Sequence, residues 1–184
     1  MRAEPQRPCY IIDGRALEPS FAFAMIVIQP STRERFSRSA FTKRGLEKFL
    51  AEAARSAGLK GAVSVLLTDD KEIRRLNREF RGKDKATDVL SFPAGNDMGR
   101  ALLAGDLAIS VETAAREADL HGHLLDLELR VLLLHGILHL AGYDHETDSG
   151  EMARRENLLR RKLGLAQGLI ARTASVPRKP GRKP

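Results

Sequence analysis

Tryptophan is absent from this 184-residue chain, aromatic residues make up only 5% of it, and it has one cysteine, Cys9. A lone cysteine excludes an internal disulfide and a cysteine-rich metal site, and it suits a reducing cytoplasm. No apolar run approaches the roughly 18 residues of a membrane span, so no membrane partner is expected. The patch Phe21 to Ile28 is too short for one and reads as a strand. The N-terminus, Met1-Arg-Ala-Glu-Pro-Gln-Arg-Pro, lacks the apolar centre of a signal peptide. With so few rings, the core must be built from Leu, Ile, Val and Ala. The 42% apolar share and the length suit one domain.

Acidic charge is in deficit, leaving a net charge of +7. The excess lies on the flanks. Residues 1–45 hold eight basic and four acidic residues, and 165–184 hold Arg172, Arg178, Lys179, Arg182 and Lys183 with no acid. Residues 46–164 are therefore slightly acidic, and bulk charge does not establish nucleic-acid binding by the folded part.

Three segments are expected. Residues 1–24, with Pro5, Pro8, Pro19 and scattered arginines, read as a disordered extension or a mis-assigned start, with translation beginning at Met25. Residues 25–166 read as the domain, and 167–184 as a disordered basic tail. Within the domain, Met25-Ile-Val-Ile-Gln is a first strand. A helix from Thr42 carries Leu46, Phe49, Leu50, Ala53 and Ala54 on one face and stops at Gly58. Ala62–Thr68 is a second strand. Asp69 opens a helix in a capping-box-like arrangement with Glu72, its inner face Ile73, Leu76 and Phe80. Arg81–Ala86 is a polar loop, Thr87–Pro93 a third strand, Ala94–Arg100 a turn region and Gly105–Ser110 a fourth strand. Helices follow at Val111–Leu120, broken by His121-Gly-His123, at Leu125 to about Ala141, and at about Asp148–Leu163. The expected class is α+β, one domain with about four strands in a mixed sheet and about five helices.

His135-Gly-Ile-Leu-His139-Leu-Ala-Gly142-Tyr-Asp-His145 carries the chemistry. Residues i and i+4 on a helix are neighbours, about 5–6 Å apart at Cβ, so His135 and His139 are able to share an ion. Gly142 permits the left-handed turn that returns His145 as a third ligand. Three nitrogens with an open fourth position make a catalytic rather than a structural zinc site. Such a zinc lowers the pKa of its bound water to about 7. The spacing is also that of a class of zinc peptidases, which place a glutamate general base directly after the first histidine. Here that position is Gly136, which argues against peptide hydrolysis.

The chain resembles the YbeY family of bacterial metal-dependent endoribonucleases. The resemblance rests on Val65-Leu-Leu-Thr-Asp-Asp70, Leu76-Asn77, Phe80-Arg-Gly-Lys-Asp84, Thr87-Asp-Val-Leu-Ser-Phe-Pro93, Gly105-Asp106 and His135 to His145, which together span about residues 46–164. It implies a single α/β domain with one Zn2+ per chain and a single-strand-specific endoribonuclease of the cytoplasm. The implied roles are 16S ribosomal RNA 3′-end maturation and ribosome quality control, with the small ribosomal subunit and ribosomal proteins as partners. It also implies that Arg81 is the basic residue of the cleft. Physically, a guanidinium matches the charge that develops at a phosphodiester. One departure is Ala86, where the family usually has proline, which should loosen the loop after Arg81.

Lys83, Lys85 and Ser91, with Thr87, are candidate substrate contacts, although loop lysines are as often simply solvated. Asp144 is a candidate to orient a ligand histidine, or else to cap the turn. His121 and His123 are not assigned to the metal. Glu151, Met152 and Glu156 read as scaffold. Two other readings stay open: a non-catalytic ribosome-assembly factor anchored by zinc, and a metal hydrolase of another substrate.

Overall fold

The structure, a computed structural model, describes residues 24–37, 41–95 and 103–165. The expected extension and basic tail, and most of the expected turn at Ala94–Arg100, lie outside these residues. Four strands form one mixed sheet in the order β1-β2-β4-β3: β1 Ala24–Ile28, β2 Ala62–Thr68, β3 Val89–Pro93 and β4 Leu103–Ser110. The pairs β1/β2 and β2/β4 are parallel and β3/β4 is antiparallel, which leaves β3 at one edge. Among the described residues six helices accompany the sheet: α1 Pro30–Arg35, α2 Lys43–Ala57, α3 Asp70–Arg81, α4 Val111–His121, α5 Leu125–Leu140 and α6 Glu151–Lys162. The α+β expectation holds. The additional helix is α1, six residues long and started by Pro30 at its first position. It is too short to show an apolar period.

Local chemistry fixes the boundaries. Thr42 caps α2 by accepting from the Gly45 N–H, and Asp69 caps α3 by accepting from the Glu72 N–H at 2.9 Å. The capping box is one-sided, because both Glu72 carboxylate oxygens accept from Arg75 instead. At α6 the helix begins at Glu151 rather than Asp148. Asp148 lies one turn before it, and its carboxylate accepts from the Gly150 and Met152 N–H groups at 2.7 Å each.

The core centres on α5. Ten of its sixteen residues are buried, among them Leu132, Leu133, Leu134, Ile137 and Leu138. A helix apolar on every side is stable only when covered on every side, and α2, α4, α6, β3 and β4 all pack against it. A second, smaller cluster of Ile73, Leu76, Leu90 and Ala108 holds α3 against the other face of the sheet.

Among the described glycines, Gly105 has the least room for a side chain. It has φ +151°, and a Cβ there would stand 2.5 Å from the Phe92 carbonyl oxygen and 2.7 Å from Leu140 Cδ2. The carbonyl belongs to the neighbouring strand and cannot step aside. Gly105→Ala is therefore expected to lower stability by about 2–3 kcal/mol through strain and overpacking. Urea denaturation checks this, and an unchanged midpoint would contradict it.

Candidate metal centre

The last two turns of α5 and the turn that follows bring three histidines to one point. His135 and His139 leave the buried helix on the side turned toward α6. After Ala141 the chain reverses at Gly142, φ +91°, with the Gly142 N–H donating to the His139 carbonyl and the Tyr143 N–H to the Leu138 carbonyl. That reversal returns His145, whose ring centroid lies 5.2 Å from that of His135 and 5.1 Å from that of His139. One nitrogen from each ring lies within 4.8 Å of the others, the one such group of histidine, cysteine or acid residues among those described. His135 Nε2 and His139 Nε2 are 3.2 Å apart. Two nitrogens on a tetrahedral zinc, with bonds of about 2.0–2.1 Å, stand about 3.3 Å apart, so this pair fits such an ion in type and spacing, and His145 adds a third donor of the same type within 4.8 Å. Burial pushes the His139 imidazole below its ordinary pKa, and the neighbouring His135 and His145 add to this. The neutral form, the one that binds metal, is thereby favoured.

Glu156 contributes what the sequence reading assigned to scaffold. From α6 its Oε2 lies 3.3 Å from His135 Nδ1, and Oε1 accepts from Arg160 Nε at 3.1 Å. Burial acts to raise the pKa of Glu156, but the His135 hydrogen bond and the Arg160 charge outweigh it and hold the carboxyl below its usual range. An ionised carboxylate only accepts, so the proton of His135 sits on Nδ1 and Nε2 is left for the metal. The 21-residue gap between these partners carries no local signal in the sequence. Asp144 caps the turn: its carboxylate accepts from the Glu146 N–H and the Thr147 hydroxyl, which hold its pKa down. His123 lies elsewhere, 2.7 Å from the buried Glu128, and His121 neighbours Glu117.

The histidines open into a cleft of about 840 Å³ between β3, α5, α6 and the loop after α3. Arg81, Lys83, Thr87 and Ser91 line it along with the three histidines and Glu156. Arg81 ends α3, is exposed, and makes no ion pair among the described residues. Ser91, 8% exposed, lies on β3. Lys85 does not line this cleft. It lies in a separate depression with Lys71, Arg74 and Asp84.

These features coincide with a family. The sequence model of the YbeY family, described as Endoribonuclease YbeY, matches residues 29–164. The chain belongs to the YbeY family. It is 52% identical over 142 residues to an endoribonuclease YbeY of Koribacter versatilis, covering 77% of this chain and 91% of the relative. To that of Solibacter usitatus it is 48% identical over 146 residues, covering 79% and 90%. A solution structure of a Thermotoga maritima protein superposes with a TM-score of 0.51 at 28% identity, covering 76% of this chain and 89% of that one.

Gly136 separates this YbeY chain from the zinc peptidases more firmly than its missing carboxylate does. A Cβ at Gly136 would stand 2.8 and 2.9 Å from the two methyl carbons of Leu107 on β4. The position faces the sheet and not the cleft, so no side chain there reaches a substrate. Gly136→Glu is expected to cost 3 kcal/mol or more, on the order of an overpacked and uncompensated buried charge. Thermal denaturation reads this out, and a variant as stable as the parent would contradict the packing.

Proposed function

We propose that the chain is a zinc-dependent, single-strand-specific endoribonuclease acting on 16S ribosomal RNA at its 3′ end and in ribosome quality control. The observation that supports it best is the three-histidine cluster in a cleft that is also lined by Arg81, a guanidinium with no ion pair among the described residues. The relatives named endoribonuclease YbeY point to RNA as the substrate class. A zinc ion held by His135, His139 and His145 supplies Lewis acidity and a nucleophile at neutral pH. The chain's own groups do the rest. Glu156 and Arg160 fix the orientation of His135. Arg81 meets the charge that grows on the non-bridging phosphate oxygens, and Lys83 and Ser91 bind the adjoining backbone. The small subunit and its proteins are the proposed partners, and the cytoplasm the proposed location.

Purified protein, with its zinc content measured, is incubated with structured ribosomal RNA, with casein and with a simple phosphodiester. The wild type is expected to cleave the RNA and to leave casein intact. His139→Ala is expected to lose bound zinc and RNA cleavage together, while Arg81→Ala keeps its zinc and loses about 10²–10³-fold in kcat. RNA cleavage at equal rates by wild type and His139→Ala would defeat the proposal. A wild type that binds zinc and RNA yet never cleaves would favour a non-catalytic assembly factor.

Removing the partner of a metal-bound histidine typically costs 10–100-fold in metal affinity. Glu156→Gln is expected to weaken zinc binding by about that factor in competition with a chromophoric chelator. Unchanged affinity would show that His135 does not need the carboxylate.

A further inference from the structure

The exposed side of α3 is charged in a way that the cleft alone does not use. At 100° per residue, Lys71, Arg74, Arg78 and Arg81 fall within one arc of about 80°, apart from the inward-facing Ile73, Leu76, Asn77 and Phe80. All four cations are exposed. The acidic residues Glu72 and Glu79 lie on a different flank, where both engage Arg75. Asp70 lines the depression beside Lys71 and Arg74, but its carboxylate is engaged by Thr113 Oγ1 at 2.7 Å and by Arg116 at 2.8 Å. Asp84 pairs directly with this arc, bidentate to Arg74 at 2.8 Å and 3.6 Å from Arg78. Lys85 lies in the depression beside Lys71 and Arg74. From Lys71 to Arg81 the arc rises by ten residue steps, about 15 Å along the axis, and its last member, Arg81, lines the cleft.

Asp69, Asp70, Glu72 and Asp84 border this row, yet the row itself is unbroken by an acid from Lys71 through Arg74 and Arg78 to Arg81, and it runs into the cleft that holds the histidines. A polyanion that enters the cleft at Arg81 and is longer than the cleft meets this face next. We propose that the α3 face carries the sugar-phosphate backbone of single-stranded RNA outside the cleft, with Lys71, Arg74, Arg78 and Lys85 as phosphate contacts. This rests on the reading of the substrate as RNA. It makes affinity depend on RNA length, since nucleotides beyond the cleft gain contacts that the reacting phosphate does not need. Such contacts are electrostatic, independent of sequence and sensitive to salt.

The test uses the full chain with zinc and two labelled single-stranded RNAs, one of about four nucleotides and one of about sixteen. Fluorescence anisotropy at several salt concentrations is compared for wild type, Lys71→Gln/Arg78→Gln and the control Arg154→Gln/Arg161→Gln, which removes equal charge from exposed positions of α6. The α3 variant is expected to bind the long RNA about tenfold more weakly, with a salt slope lower by about 1.4, the share of two phosphate contacts on a single strand. Its affinity for the short RNA and its kcat on saturating long RNA stay at the wild-type values, and its KM rises. A long-RNA affinity equal to wild type overturns the proposal, as does an equal loss in the control, which would mark bulk charge. Wild-type protein that binds neither RNA defeats the RNA reading itself, whereas wild type that binds the long RNA and a variant that binds it equally defeats the α3 track alone.

Discussion

The burial of α5 is the constraint on which the rest depends. Its ten buried residues commit it to the centre of the molecule, and Gly136 lets it press onto β4 at Leu107. Once the apolar faces are covered, His135 and His139 leave on the one side still open to solvent. The Gly142 reversal returns His145 to that side, and α6 supplies Glu156. The histidine cluster is thus a consequence of how a wholly apolar helix is enclosed.

The sheet serves the same end. β3 is the edge strand, antiparallel to β4, and lays Ser91 beside the histidines. Gly105 allows this edge and the end of α5 to approach closely. On the opposite face α3 is anchored by Ile73 and Leu76, so its last residue, Arg81, reaches the cleft rim while its outer arc remains solvent-facing. A packed floor and a cationic border result, with the acid residue Glu156 kept in place by Arg160.

What was legible in the sequence follows from range. Period-3.6 apolar faces, glycine stops and the Thr42 and Asp69 caps are local signals, and the four strands and five longer helices were readable from them. The histidine cluster was readable because helix geometry over four residues and a glycine turn determine it. Glu156 was not, since its partner is 21 residues away on a helix whose docking depends on the whole core. Gly136 was read as an absent base, but its structural meaning, contact with Leu107, depends on tertiary approach. Lys85 shares a loop with Lys83 yet lies in a different depression, a divergence over two residues that sequence spacing does not reveal.

The most direct measurement of the central claim is a zinc titration of chelator-stripped protein, followed by the rate of single-stranded RNA cleavage. The account predicts no cleavage without metal and a rate that rises with added zinc to saturate at one ion per chain. Full-rate cleavage by the stripped protein, or a rate indifferent to zinc, would contradict it.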